Sequence, residues 1–144
     1  MATNTTPAFP PARRDPRQVT NVLKRTLNFN DSDIAKANFA NALPSGAVVL
    51  SVHCEIVTAF NAGTTNPITV GTNSPNFNNM LASGDITAAT PGVYFISTSG
   101  TTKLGAAFAA AGDTAVFITY VPTGTAATTG QAVITIEYEG GNLS

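Results

Sequence analysis

The chain has 144 residues and a net charge of −1, and its charged residues make up 10%, against about 25% in an ordinary globular domain. That length suits one domain with a substantial core. The single cysteine excludes an intrachain disulfide framework, and no apolar run approaches the roughly eighteen residues of a membrane-spanning helix.

Charge is unevenly placed. Residues 1–25 hold Arg13, Arg14, Arg17, Lys24 and Arg25 against Asp15 alone. The remainder holds Lys36 and Lys103 against seven acids. A basic arm on a mildly acidic body implies a partner surface for the arm. The N-terminus lacks the charged start and apolar core of a secretory signal, so synthesis in a reducing cytoplasm is expected.

Residues 1–17, MATNTTPAFPPARRDPR, hold Pro7, Pro10, Pro11 and Pro16. Proline fixes φ and removes a donor, so this stretch reads as an extended arm. Phe9 and the arginines Arg13, Arg14 and Arg17 are its candidate partner-binding residues. Residues 18–144 read as one β domain.

The first strand is expected over residues 18–29, with Val19, Leu23, Leu27 and Phe29 on one face, interrupted by Asn21 and Arg25. Residues 30–42 read as irregular, with a helical turn capped by Asp31 or Ser32.

The stretch 43–71, LPSGAVVLSVHCEIVTAFNAGTTNPITVG, is the strongest signal in the chain. Pro44, Ser45 and Gly46 mark a turn. From Ala47 to Phe60 the run alternates: Val48, Leu50, Val52, Cys54, Ile56 and Phe60 share one face, broken by Thr58. Val49, Ser51, His53, Glu55 and Val57 share the other. This is a strand with one side on a core, long enough at about 3.3 Å per residue to need a bend or a change of sheet. A short return strand is expected over 67–71.

Further on, 79–82 reads as a helical turn. Residues 86–87, 92–97 and 103–109 are weaker strand candidates between Gly and Pro punctuation. Two strong strands close the domain, over 114–121 and 131–139. Their alternation and the polar connection between them predict a hairpin or paired return, with Phe117, Ile134 and Ile136 in or near the core. Short strands with no long amphipathic helix give an all-β sandwich or barrel.

Reactive chemistry is sparse. His53 is the only histidine, and Cys54, its neighbour in a strand, must point to the opposite face, so the two form no nucleophile–base pair. One Cys and one His are too few for zinc. Asp31, Ser32 and Asp33 lack the glycine and glutamate of a calcium loop. Glu137 and Glu139 share a strand face rather than flanking a cleft. There is no phosphate-cradling or dinucleotide motif. No cofactor, metal or catalytic residue is expected, and the body is too acidic for nucleic acid.

The stretch 43–72 resembles a pattern of small virion proteins of tailed phages: a P-x-G-A opening, a long strand, V-T-A-F-N-x-G-T, and a T-V-G-T return. It is similar to capsid cement (decoration) proteins of short-tailed phages, among them that of the Bordetella phage. The resemblance implies a jelly-roll-like antiparallel β-sandwich without catalysis. It implies a structural protein made in the host cytoplasm and placed on the capsid exterior, where it clamps neighbouring major capsid subunits. A clamp on a symmetric shell is expected to self-associate, as a homodimer on two-fold positions or alternatively a trimer on three-fold ones. A tail or head-fibre component, or a carbohydrate-binding β-sandwich, are the other readings.

Overall fold

The computed structural model describes residues 20–35, 37–38, 42–96 and 112–140, with 37 and 38 described by their backbone alone. It holds seven strands: β1 (Asn21–Asn28), β2 (Ala37–Asn38), β3 (Val48–Thr58), β4 (Ile68–Gly71), β5 (Gly92–Ile96), β6 (Phe117–Tyr120) and β7 (Gln131–Glu139). Among the described residues there is no helix, and hence none that is long and apolar enough to cross a membrane.

The strands form a four-stranded sheet in the order β1-β7-β3-β5 and a three-stranded sheet in the order β2-β6-β4. All pairings are antiparallel. Odd-numbered strands lie in one sheet and even-numbered strands in the other, so each connection carries the chain across from one sheet to the other. An isolated bridge between Val70 and Leu81 extends the smaller sheet beyond β4. The two sheets make an antiparallel β-sandwich, with this bridge at the β4 edge of the smaller one.

This order corrects two expectations. β6 and β7 are not a hairpin: β6 pairs with β2 and β4, while β7 pairs with β1 and β3. β4 does not return along β3 but pairs with β6, from Ile68 opposite Tyr120 to Gly71 opposite Phe117. Alternation identifies a strand and its two faces but not its partner, and connections of about ten residues are long enough to change sheet.

The core lies between the sheets. β3 contributes Val49, Val52, Cys54 and Ile56, β7 contributes Ala132, Ile134 and Ile136, and β6 contributes Val116, just before it, with Ile118 and Tyr120. Leu23 and Leu27 of β1 join them, with Ile68 and Val70 of β4. Arg25, on the inward side of β1 between the two leucines, turns to the sheet edge and pairs with Asp33 at 2.7 Å.

The expected inward face of β3 is right from Val52 onward and wrong before it. Val48 and Leu50 are exposed, 39% and 37%, while Val49 is buried. The register against β7 shifts between Val49 and Ser51, and again between Ile56 and Thr58. An extra residue in one strand flips the phase of every side chain before it. β3 stays in one sheet throughout; of the expected bend or change of sheet, the irregularities answer to the bend.

Phe117 is half-buried rather than in the core, its ring centroid 4.8 Å from that of Phe77. The inward face of β6 is the one with Tyr120, buried because its hydroxyl has a partner: it donates to Asn66 Oδ1 at 2.8 Å.

The expected helical turns are absent. Asp31 accepts from the backbone N–H of Asn28 at 2.8 Å, closing a turn. In 72–79, Asn73 Oδ1 accepts from the N–H groups of Asn78 and Asn79, and Asn79 Oδ1 accepts from that of Thr72. Asparagine side chains thereby take the backbone donors a helix would use. The strand expected at 92–97 is β5, whereas 86–87 is not a strand. The candidate at 103–109 lies outside the described residues.

Candidate functional surface

The four candidate partner-binding residues, Phe9, Arg13, Arg14 and Arg17, lie outside the described residues. What the described residues present is a broad sheet face, built as follows.

The side of the four-stranded sheet away from the core carries alternate residues of each strand. The register sets them in rows. Val22 of β1 stands opposite Glu137 of β7, which stands opposite Ser51 of β3. The next row runs Lys24, Thr135, His53, Phe95, and the next Thr26, Val133, Glu55, Val93. Phe95 is 67% exposed, Val93 57% and Val22 52%. A Phe two-thirds in water is unusual; Phe95 and Val93 stand together on the outer side of β5, while Val22 lies on β1 at the opposite edge of the sheet.

The smaller sheet is different. Its outer side is closed by Thr69 and Thr119, whose hydroxyls meet at 2.6 Å, and by the Phe77–Phe117 contact. Most of the exposed large apolar side chains fall on β1, β3 and β5, with Val121 standing apart.

A polar cluster sits inside the larger face. Ser51 Oγ donates to Glu137 Oε2 at 2.7 Å and lies 3.0 Å from His53 Nε2. The imidazole centroid is 4.3 Å from the ring of Phe95. This is not a hydrolase triad. There the nucleophile and the carboxylate engage opposite ring nitrogens, whereas Glu137 lies 3.8 Å from the same Nε2 that faces Ser51. Because the hydroxyl has one proton, given to Glu137, Nε2 carries the hydrogen toward Ser51 and is no base for it.

Cys54 is fully buried on the opposite side of β3, and burial pushes its thiol up to about 12. As expected from parity, it has no access to His53. Among the described residues no group of three His, Cys, Asp or Glu side chains stands where it could hold a metal ion. The described residues line open clefts. One lies against Asn66, Pro67 and Ile86, another against Asn28, Phe29 and Gln131. Their amides are used internally: Asn66 with Ala62 and Tyr120, Gln131 with Asn28.

Parity places Ser51, His53 and Glu55 on the mixed face of β3, and this is where they are. The partnership of Ser51 with Glu137 joins residues 86 apart in sequence, and only the register of β3 on β7 reveals it. The outward placement of Phe95 had no sequence signal beyond alternation within a five-residue strand.

No protein-family model and no curated protein sequence matches the chain. Solved structures do, among them two from phage capsids. A chain of the cyanophage Pam1 capsid asymmetric unit superposes with a TM-score of 0.59 at 19% identity, over 96% of each chain. A chain of the acid-stable capsid structure of Helicobacter pylori bacteriophage KHP30 superposes with a TM-score of 0.57 at 22% identity, over 85% of this chain and 88% of that one. At such identities the likeness establishes a shared all-β sandwich fold. It does not single out the Bordetella phage protein.

Proposed function

We propose that this chain is a structural virion protein that binds the outer surface of a phage capsid and clamps neighbouring major capsid subunits. The observation that carries the reading is the fold shared with a capsid chain over nearly the full length of both. Three features support it: the 43–72 motif, the exposed apolar patch around Phe95, and a polar cluster unsuited to catalysis. The β domain supplies the footprint. The arm, with Phe9, Arg13, Arg14 and Arg17, crosses to a neighbouring subunit and supplies grip. The protein acts as a homo-oligomer, a dimer in preference to a trimer.

Cosedimentation with shells assembled from the co-encoded major capsid protein tests this. Saturable binding, and antibody labelling spread over the heads of intact virions, are expected. Labelling confined to the tail, or no binding to shells, would overturn it.

A further inference from the structure

The outer face of the four-stranded sheet has an occupant whose chemistry is present in this same chain. Glu55, Glu137 and Glu139 point outward from β3 and β7, against Lys24 of β1. Beside them stand Phe95 and Val93. The arm bears the complement: Arg13, Arg14 and Arg17 against Asp15, with Phe9 among prolines. An extended Pro-containing segment docks on exposed aromatic rings at low entropy cost, and Arg pairs bidentately with carboxylates. We propose that the N-terminal arm of one copy lies across the outer face of the β1-β7-β3-β5 sheet of a second copy, with its arginines on Glu55, Glu137 and Glu139 and Phe9 against Phe95. The inference rests on the reading above of a self-associating virion protein, and it names what the arm grips.

The direction of the chain selects a second copy over the arm's own sheet. β1 begins at Asn21, opposite Tyr138, at one end of the sheet. To set all three arginines on its own sheet the arm must reverse after Arg17, within residues 17–20, Arg-Gln-Val-Thr, because a turn at Asp15-Pro16 would leave Arg17 off the face. That stretch has no Gly, Pro, Asn or Asp, the residues that make tight reversals, and ends in two β-branched residues that favour extension. Continued straight, 17 residues at about 3.1 Å each reach on the order of 50 Å. The span from β1 to β5 is only about 14 Å, three strand spacings, so the arm is long enough to bridge to a neighbour and cross its face.

The test uses the full chain in solution, without shells, and reads self-association by sedimentation equilibrium. One variant reverses the face, Glu55→Lys with Glu139→Lys, both at exposed positions. The other reverses the arm, Arg13→Glu, Arg14→Glu and Arg17→Glu. Each alone is expected to weaken self-association by about tenfold or more, and more at low salt than at high salt. Mixed together, the two variants are expected to associate again, because each arm then meets an oppositely charged face. Circular dichroism of each variant checks that the sandwich is intact.

Three results would overturn the inference. The first is a wild-type chain that stays monomeric at its highest soluble concentration. The second is association that neither reversal changes. The third is recovery when both reversals sit in one chain but not when the two variants are mixed, which would mean the arm covers its own sheet. Shell binding is measured separately. A monomeric chain that still pellets with shells keeps the proposed function and loses this inference, and an associating chain that does not pellet does the reverse.

Discussion

Tyr120 and Asn66 tie one end of the β4–β6 pair, where Tyr120 stands opposite Ile68, to the loop that precedes β4. The Tyr120 hydroxyl donates to Asn66 Oδ1 at 2.8 Å, and the same oxygen accepts from the Ala62 N–H at 2.9 Å. The Tyr120 ring packs on Phe60, centroids 4.7 Å apart. Burial pushes its phenol above the ordinary value. Tyr120→Phe keeps the packing and loses one hydrogen bond, so it is expected to cost about 1 kcal/mol. Asn66→Ala also leaves the Ala62 N–H without its partner and is expected to cost more. Urea denaturation of both variants checks the order.

The register shift in β3 makes a contrast between adjacent positions. Val49→Ala removes two methyl groups from a buried site and is expected to cost about 2 kcal/mol. Leu50→Ala removes more apolar volume from a site 37% exposed and is expected to cost less. Equal losses in denaturant titration would contradict the placement of the bulge. Ile134→Ala, at the centre of β7, is expected to cost about 2–5 kcal/mol.

Gly130 has φ +147, and a Cβ there would clash with the edge of the Phe60 ring. Gly130→Ala therefore combines a backbone conformation that L residues avoid with a clash in the core. A loss of about 2–4 kcal/mol is expected, visible as a lowered thermal midpoint.

Cys54 gives a pH dependence with a definite sign. In the folded chain the thiol is held up to about 12, from an ordinary value of 9.0. The unfolded chain therefore loses its proton first. The stabilisation is complete below the unfolded pKa and is lost as pH rises from about 9 toward 12. Stability of wild type relative to Cys54→Ala should fall across that window. At neutral pH the native thiol should resist alkylation and react once the chain is unfolded.

Deletion of residues 2–17 should leave the β domain folded and weaken shell binding. Replacing Arg13, Arg14 and Arg17 together by Ala should weaken binding mainly at low salt, because exposed charge pairs are already screened at high salt. A truncated chain that binds shells as tightly as the full one would make the arm a passive tail.

The class of fold was legible because alternation is a local property. β1, β3, β5 and β7 appear in the sequence nearly at their true bounds. Which strand pairs with which is set by the whole sandwich, and so 131–139 read as the mate of 114–121 when its mates are β1 and β3. Phase was legible only up to an irregularity: nothing in Val48-Val49-Leu50 distinguishes a regular strand from one with an extra residue. Phe117 and Tyr120 were exchanged in importance, because the hydrogen bond that makes a buried Tyr tolerable comes from Asn66, 54 residues away. On the surface, the parity of Ser51, His53 and Glu55 was right, while their rows with Glu137 and Phe95 required the register.

Among the described residues β7 is the last strand in chain order, and it is one of the two inner strands of the larger sheet, between β1 and β3. On the ribosome β1 and β3 are made early and have no common partner until 131–139 emerges. The sandwich therefore closes only after nearly the whole β domain has been synthesised, and a nascent chain stalled before β7 leaves β1 without a partner and one edge of β3 open. Where many copies are made at once, such unfinished chains are the species most able to pair with one another through their open strand edges, so completion of translation closes the window for misassociation.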